Sequence, residues 1–139
     1  MSYVLARHRL ISAALEQRKR VVVIGEDDEP IARLLHDAIN DEPAYQAVIV
    51  PDGALVLETV RQVHADLLIL DVMMPGLSGI EVFDRVRAEK EIRDMPVLFV
   101  TAASLDFERQ FKDRKIADVI AKPFDLNQLL AKVRKLCPP

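Results

Sequence analysis

The sequence predicts an α/β fold, a five-stranded parallel sheet with helices on both faces. Two observations carry this. Short apolar runs without polar alternation, such as Leu67-Leu68-Ile69-Leu70, recur along the chain and suit strands buried on both faces. Between them lie stretches with apolar residues at helical spacing. Strict alternation of the two implies parallel strands joined by right-handed crossovers.

Residues 1–19 stand apart from that alternation. Val4, His8, Ile11 and Leu15 recur at helical spacing, with Leu5 and Ala14 widening the stripe and Arg7, Arg9, Glu16 and Arg18 outside it. An amphipathic helical extension is expected, its apolar face covered by the domain or by another chain. From Arg20 the pattern becomes regular. Val21-Val22-Val23-Ile24 is the first strand, ending in Gly25-Glu26-Asp27-Asp28-Glu29. Pro30 then opens a helix through Ile31, Leu34, Leu35, Ala38 and Ile39, since Pro fits an early helical position. Ala44–Val50 is the second strand, and Ala54–His64 the next helix. Leu67–Leu70 is the third strand; it delivers Asp71 to its end and stops in Val72-Met73-Met74-Pro75-Gly76. Gly79–Lys90 is a helix, Val97–Thr101 the fourth strand, and Asp106–Arg114 a charged helix. Asp118–Ala121 is the fifth strand, followed by Lys122-Pro123-Phe124. Asp125 is placed to cap a last helix reaching Leu136. The length suits the flavodoxin-like strand order 2-1-3-4-5.

Composition narrows the function. At 139 residues the chain is one domain, long enough to bury a core. A net charge of −3 gives no global drive toward nucleic acid or an anionic membrane. No apolar run approaches a membrane span, and no signal-peptide core opens the chain. The single cysteine, Cys137, excludes an internal disulfide and fits a reducing cytosol, so a cytoplasmic location is expected.

In the order 2-1-3-4-5, the first and third strands are neighbours. Glu26, Asp27 and Asp71 then converge on the C-terminal rim of the sheet, with Thr101 and Lys122 ending the fourth and fifth strands beside them. Ligands bind at that rim in open α/β sheets. Like charges at about 4 Å repel by roughly 4 kcal/mol at an effective dielectric near 20, so the cluster calls for a cation. All-oxygen ligands with room for water suit Mg²⁺. Asp71 is the natural nucleophile, because an aspartyl-phosphate needs a carboxylate beside a metal and a lysine. The acidic run leaves two metal pairs open, Glu26–Asp27 and Asp27–Asp28. The pair nearer the strand end is chosen, leaving Asp28 for the helix start, where negative charge is favourable.

At this point the sequence resembles the receiver domain of two-component response regulators, the CheY-like fold. The resemblance rests on Val-Val-Val-Ile-Gly-Glu-Asp-Asp-Glu-Pro, Leu-Ile-Leu-Asp-Val-Met-Met-Pro-Gly-Leu-Ser-Gly, Val-Leu-Phe-Val-Thr-Ala and Ala-Lys-Pro-Phe. It covers Arg20 to Leu136 and sets the domain at 20–137. It implies that Asp71 accepts a phosphoryl group from a histidine kinase or phosphotransfer protein. Asp27 and Asp71 would ligate Mg²⁺ with the Met73 backbone carbonyl, and Glu26 would act through water. Thr101 and Lys122 would be the switch hydroxyl and the phosphate-binding lysine, with Lys122–Pro123 often cis. The implied output is a changed partner-binding surface of the last two helices and fifth strand, including Arg109, Lys112, Asp113 and Arg114. It would engage a downstream protein, a fused output domain or a second copy, without direct contact to nucleic acid. Activity would be limited to self-phosphorylation and slow self-dephosphorylation.

Three departures stand out. Val119 replaces the aromatic usual three residues before the lysine, so the customary readout of Thr101 is missing. Lys115-Ile116 replaces the Gly-Ala usual before the fifth strand, and a different loop is expected. Gly25 stands where a bulkier residue is usual. A phosphate-independent interaction module is the alternative, supported mainly by Val119. A phosphatase that forms an aspartyl-phosphate usually has a second Asp two residues after the nucleophile, and here that residue is Met73.

Overall fold

The computed structural model describes residues 3–16 and 18–139, with the side chains of 11–16 left aside. Its elements are α1 (Tyr3–Glu16), β1 (Arg20–Gly25), α2 (Glu29–Asn40), β2 (Tyr45–Val50), α3 (Gly53–Val63) and β3 (Leu67–Leu70). Then come α4 (Gly79–Ala88), β4 (Val97–Ala102), α5 (Leu105–Asp113), β5 (Val119–Lys122) and α6 (Leu126–Leu136). The strands form one parallel sheet in the order β2-β1-β3-β4-β5, as the alternation predicts.

Side-chain alternation along the strands divides the core in two. Val23, Leu68, Leu70 and Phe99 pack with α3, α4 and Phe111 of α5. Val22, Ile24, Leu67, Ile69 and Leu98 pack with Leu35 and Ile39 of α2 and Leu129 and Val133 of α6. All four residues of β3 are buried because it lies at the centre of the sheet with helices on both sides.

Helix boundaries follow local capping chemistry. Asp28 accepts from the Ile31 N–H at the start of α2, and Asp125 accepts from Gln128 at α6. Ser78 and Glu81 form a reciprocal capping box at α4. Two expectations are corrected. His64 lies outside α3, as a left-handed C-cap with φ 52°. The helix expected to reach Lys90 ends at Ala88: Glu89 leaves it in an extended conformation, its carboxylate held by Arg61. The loop before β5 keeps a tight turn although it has no glycine. Lys115 itself adopts φ 57°, and the Ile116 N–H donates to the Phe111 carbonyl at 2.9 Å.

The extension is helical as expected, but Tyr3–Leu10 are exposed, with Tyr3, Val4 and Leu10 all above 70 %. Over these residues the domain does not cover the apolar stripe. The reason is architectural: α2 and α6 already occupy one face of the sheet, and α3, α4 and α5 the other. Ile11, Ala14 and Leu15 lie outside the described side chains. Among the described residues, no helix is long and apolar enough to cross a membrane.

Candidate functional site

The site is built by strand register. Gly25 pairs with Leu70 across β1 and β3, so the next residues, Glu26 and Asp71, emerge side by side. The Asp71 N–H donates to the Gly25 carbonyl at 2.9 Å, which carries the pairing one step past the strand end. Register also sets Thr101 opposite Ala121 and Ala102 opposite Lys122. Close packing fixes the floor, because a Cβ on Gly79 would meet the Asp71 carbonyl oxygen at 2.1 Å.

All five residues expected at the rim come together. Glu26, Asp27 and Asp71 each offer a carboxylate oxygen within 4.8 Å of the others. Lys122 Nζ donates to Glu26 Oε1 and to Asp71 Oδ2, the latter at 2.7 Å. Thr101 Oγ1 donates to Asp71 Oδ1 at 2.7 Å, and the Met73 N–H approaches the same oxygen at 3.3 Å. Glu26, Asp71 and Thr101 are buried, whereas Asp27 is exposed. Asp28 turns away to cap α2, so Glu26 and Asp27 are the two acids of that run that lie beside Asp71. The Lys122–Pro123 bond is cis.

Electrostatics separate the two buried acids. Burial pushes Glu26 up to about 7, and the neighbouring Asp71 charge adds to this against the Lys122 hydrogen bond. Burial also acts upward on Asp71, but hydrogen bonds from Lys122 and Thr101 outweigh it and hold its carboxyl below the usual range. Lys122 is raised: burial lowers it, and its bonds to Asp71 and Glu26 more than compensate. Asp71 is therefore the carboxylate kept ionised. Lys122 pairs with two of the three carboxylates, and an all-oxygen donor set of this kind fits a hard divalent cation such as Mg²⁺.

Some expectations shift. Arg114, expected on an output face, is committed to α4 by a fork to Asp84 at 2.8 and 2.9 Å. Val119 is half-buried and lines a cavity of about 460 Å³ between α5 and β5. Of the histidines, His36 bonds Asp37 and Asn40 and His64 caps α3; neither belongs to the acid cluster. Sequence reasoning overlooked the direct Glu26–Lys122 pair, although both residues end strands of the same rim. It also overlooked Phe107. That residue lines a groove of about 560 Å³ that begins at Asp27 and Met73.

A parallel sheet of this order, with carboxylates, a hydroxyl and an ammonium at its C-terminal rim, defines a receiver-type α/β module. The chain belongs to the response regulator receiver domain family, whose profile matches residues 22–134. It is 37% identical over 114 residues to the uncharacterized transcriptional regulatory protein YkoG of Bacillus subtilis (strain 168), covering 81% of this chain and 49% of that one. It is 33% identical over 117 residues to the sensor histidine kinase TmoS of Ectopseudomonas mendocina, covering 83% of this chain and 12% of that protein. The chain thus spans half or less of the length of these curated relatives. Among solved structures, the chemotaxis protein CheY4 of Vibrio cholerae superposes with a TM-score of 0.76 at 23% identity, over 86% of this chain and 99% of that one. That likeness speaks for the fold. Members of the family are signalling switches of two-component systems rather than enzymes with a separate substrate to turn over.

Proposed function

We propose that this chain is a phosphorylation-dependent switch in which Asp71 takes a phosphoryl group from a phosphohistidine of a histidine kinase or phosphotransfer protein. The carrying observation is the convergence of the Thr101 hydroxyl, the Lys122 ammonium and two further carboxylates on the Asp71 carboxylate. In the transfer, an Asp71 oxygen bonds to phosphorus while the phosphorus–imidazole nitrogen bond breaks, and the imidazole leaves with the electron pair. Asp27, Asp71 and the Met73 carbonyl would hold Mg²⁺, with Glu26 acting through water. When bound, the ion screens the carboxylates and accepts charge developing on the phosphoryl oxygens. Lys122 exchanges a carboxylate partner for a phosphoryl oxygen. Thr101 already donates to Asp71, so its hydroxyl needs only a short movement to reach another oxygen.

The output is a shift between two arrangements of the surface around α5, β5 and α6, read by a downstream protein, a fused output domain or a second copy. A cytoplasmic location follows from the phosphodonor class. The alternative, a phosphate-independent interaction module, rests on Val119, which lies outside the hydrogen-bonded cluster and leaves the five site residues in place. The test is acetyl phosphate or beryllofluoride with Mg²⁺. The wild-type chain should gain an acid-stable, base-labile phosphoryl group detectable by mass, and Asp71→Asn should gain none while keeping its circular dichroism. A wild-type chain that remains unmodified and does not respond to beryllofluoride overturns the reading.

A further inference from the structure

α1 leaves the domain at the edge of the sheet opposite the acid site, where β1 begins at Arg20 and Asp66 leads into β3. That exit is fixed. The Arg18 guanidinium donates to the Asp66 carboxylate at 3.2 and 3.4 Å, and the same carboxylate accepts from the Val21 N–H at 2.8 Å. Farther out, Tyr3–Leu10 are exposed. Tyr3, Val4, Arg7 and Leu10 recur at helical spacing and share one face, so a basic side chain sits inside an apolar stripe. A helix of 14 residues is marginal in water without packing.

Asp66 also lines an open surface groove of about 550 Å³, formed by the end of α3, the turn after it and the segment ahead of β4. Its floor is apolar: Val60 and Met95 are buried, Ala65 and Ile92 half-buried. Glu91 and Asp94 stand exposed on its walls. Arg61 lines it too but is held by Glu89, and Lys90 and Arg93 lie outside the lining. Charge is divided the same way at the scale of the chain. Arg7, Arg9, Arg18 and Lys19 against Glu16 give residues 1–19 a charge of +3 in a chain of −3, which leaves −6 on residues 20–139.

That division selects the partner. An anionic lipid surface attracts the helix but repels the domain behind it. Pairing α1 with α1 brings two +3 segments together around Arg7. The domain of a second copy meets both needs, with an apolar floor for Tyr3, Val4 and Leu10 and carboxylates for Arg7 and Arg9. We propose that two copies of this chain exchange α1, each helix lying in the other's groove between α3 and the segment ahead of β4. Asp66 belongs both to the helix exit and to the groove, so one two-fold axis beside it sets both helices over both grooves. Each contact is small but is made twice, and a dissociation constant of about 10 μM is expected. The acid site and the surface of α5, β5 and α6 stay open, so the pairing precedes and does not need phosphoryl transfer.

The experiment is sedimentation velocity on the full chain without phosphodonor, from about 1 to 200 μM. The wild type should pass from monomer to dimer over that range. Arg7→Glu with Arg9→Glu, or Glu91→Lys with Asp94→Lys, should weaken the dimer at least about tenfold with circular dichroism unchanged. The chain carrying all four reversals should regain most of the loss. Amide hydrogen exchange on the wild type gives a reading that needs no variant: protection of Tyr3–Leu10 and of residues 91–95 should rise together with concentration. A wild type still monomeric at the highest concentration overturns the proposal, whether α1 is then free, folded on its own groove or bound to phosphatidylserine vesicles. A dimer that the groove reversals leave intact, or that the combined reversals fail to restore, also overturns it.

Discussion

Asp71 and Glu26 sit on adjacent strand ends and share Lys122, yet their surroundings push them in opposite directions. The difference is the Thr101 hydroxyl, which donates to Asp71 and favours its charged form. Glu26 has no such hydroxyl and pays for its burial, which makes it the acid with the weaker hold on charge. The residues flanking the site set a second property. Met73 is 67% exposed and follows Asp71 by two positions; Ala103 follows Thr101 by two and is also exposed. A thioether and a methyl group have no polar atom suited to orient an attacking water, so proximity catalysis of hydrolysis should be weak. The aspartyl-phosphate is expected to persist on the order of minutes or longer in the purified protein. Placing a carboxamide at that position, Met73→Gln, should shorten its lifetime; decay followed by intact mass after removal of acetyl phosphate measures both. A wild-type half-life of seconds contradicts the assignment.

At the scale of elements, caps decide which acid does what. Asp28 is taken by α2 as its N-cap, which removes it from the acid cluster and leaves Asp27 beside Glu26. A Cβ on Gly25 would come within 2.8 Å of Leu70 Cδ2 and 3.4 Å of Met74 Sδ, which accounts for the small residue ahead of the acids. The turn between α5 and β5 shows the opposite situation. Lys115 is exposed and holds φ 57°, a conformation unfavourable for any residue with a Cβ. Lys115→Gly should therefore stabilise the fold by about 0.5–1 kcal/mol, the relief of left-handed strain less the extra freedom of glycine in the unfolded chain. A rise in the urea midpoint with an unchanged slope reports it.

For the whole molecule, the joint between α6 and the sheet sets a limit on pH. The buried Tyr45 hydroxyl donates to the Cys137 carbonyl at 2.6 Å. Burial raises both the Tyr45 phenol and the Cys137 thiol above their ordinary values of 10.0 and 9.0. A group with a raised folded value contributes stability that is complete below its unfolded value and lost as pH climbs through the folded one. Stability should therefore hold to about pH 9 and fall beyond it. Tyr45→Phe should cost about 1 kcal/mol near neutrality through the lost hydrogen bond, and should flatten the alkaline fall. Urea titrations at neutral and alkaline pH measure both effects.

The order of elements and the membership of the acid site were legible in the sequence. Apolar runs that end in Asp27, Asp71, Thr101 and Lys122 report strand ends, and parallel alternation leaves few ways to arrange them. Local capping chemistry also pointed to Asp28 and Asp125. Other features depend on which side chains meet across the sheet, and periodicity does not encode them. Lys122 bridges Glu26 and Asp71, Arg114 is held by Asp84 on α4, and α1 is left exposed over Tyr3–Leu10 because both faces of the sheet are already covered. The space beside Val119 has the same origin: the sequence shows that an aromatic is missing there, but only packing puts Phe107 against that space, since its neighbours come from three separate segments of the chain.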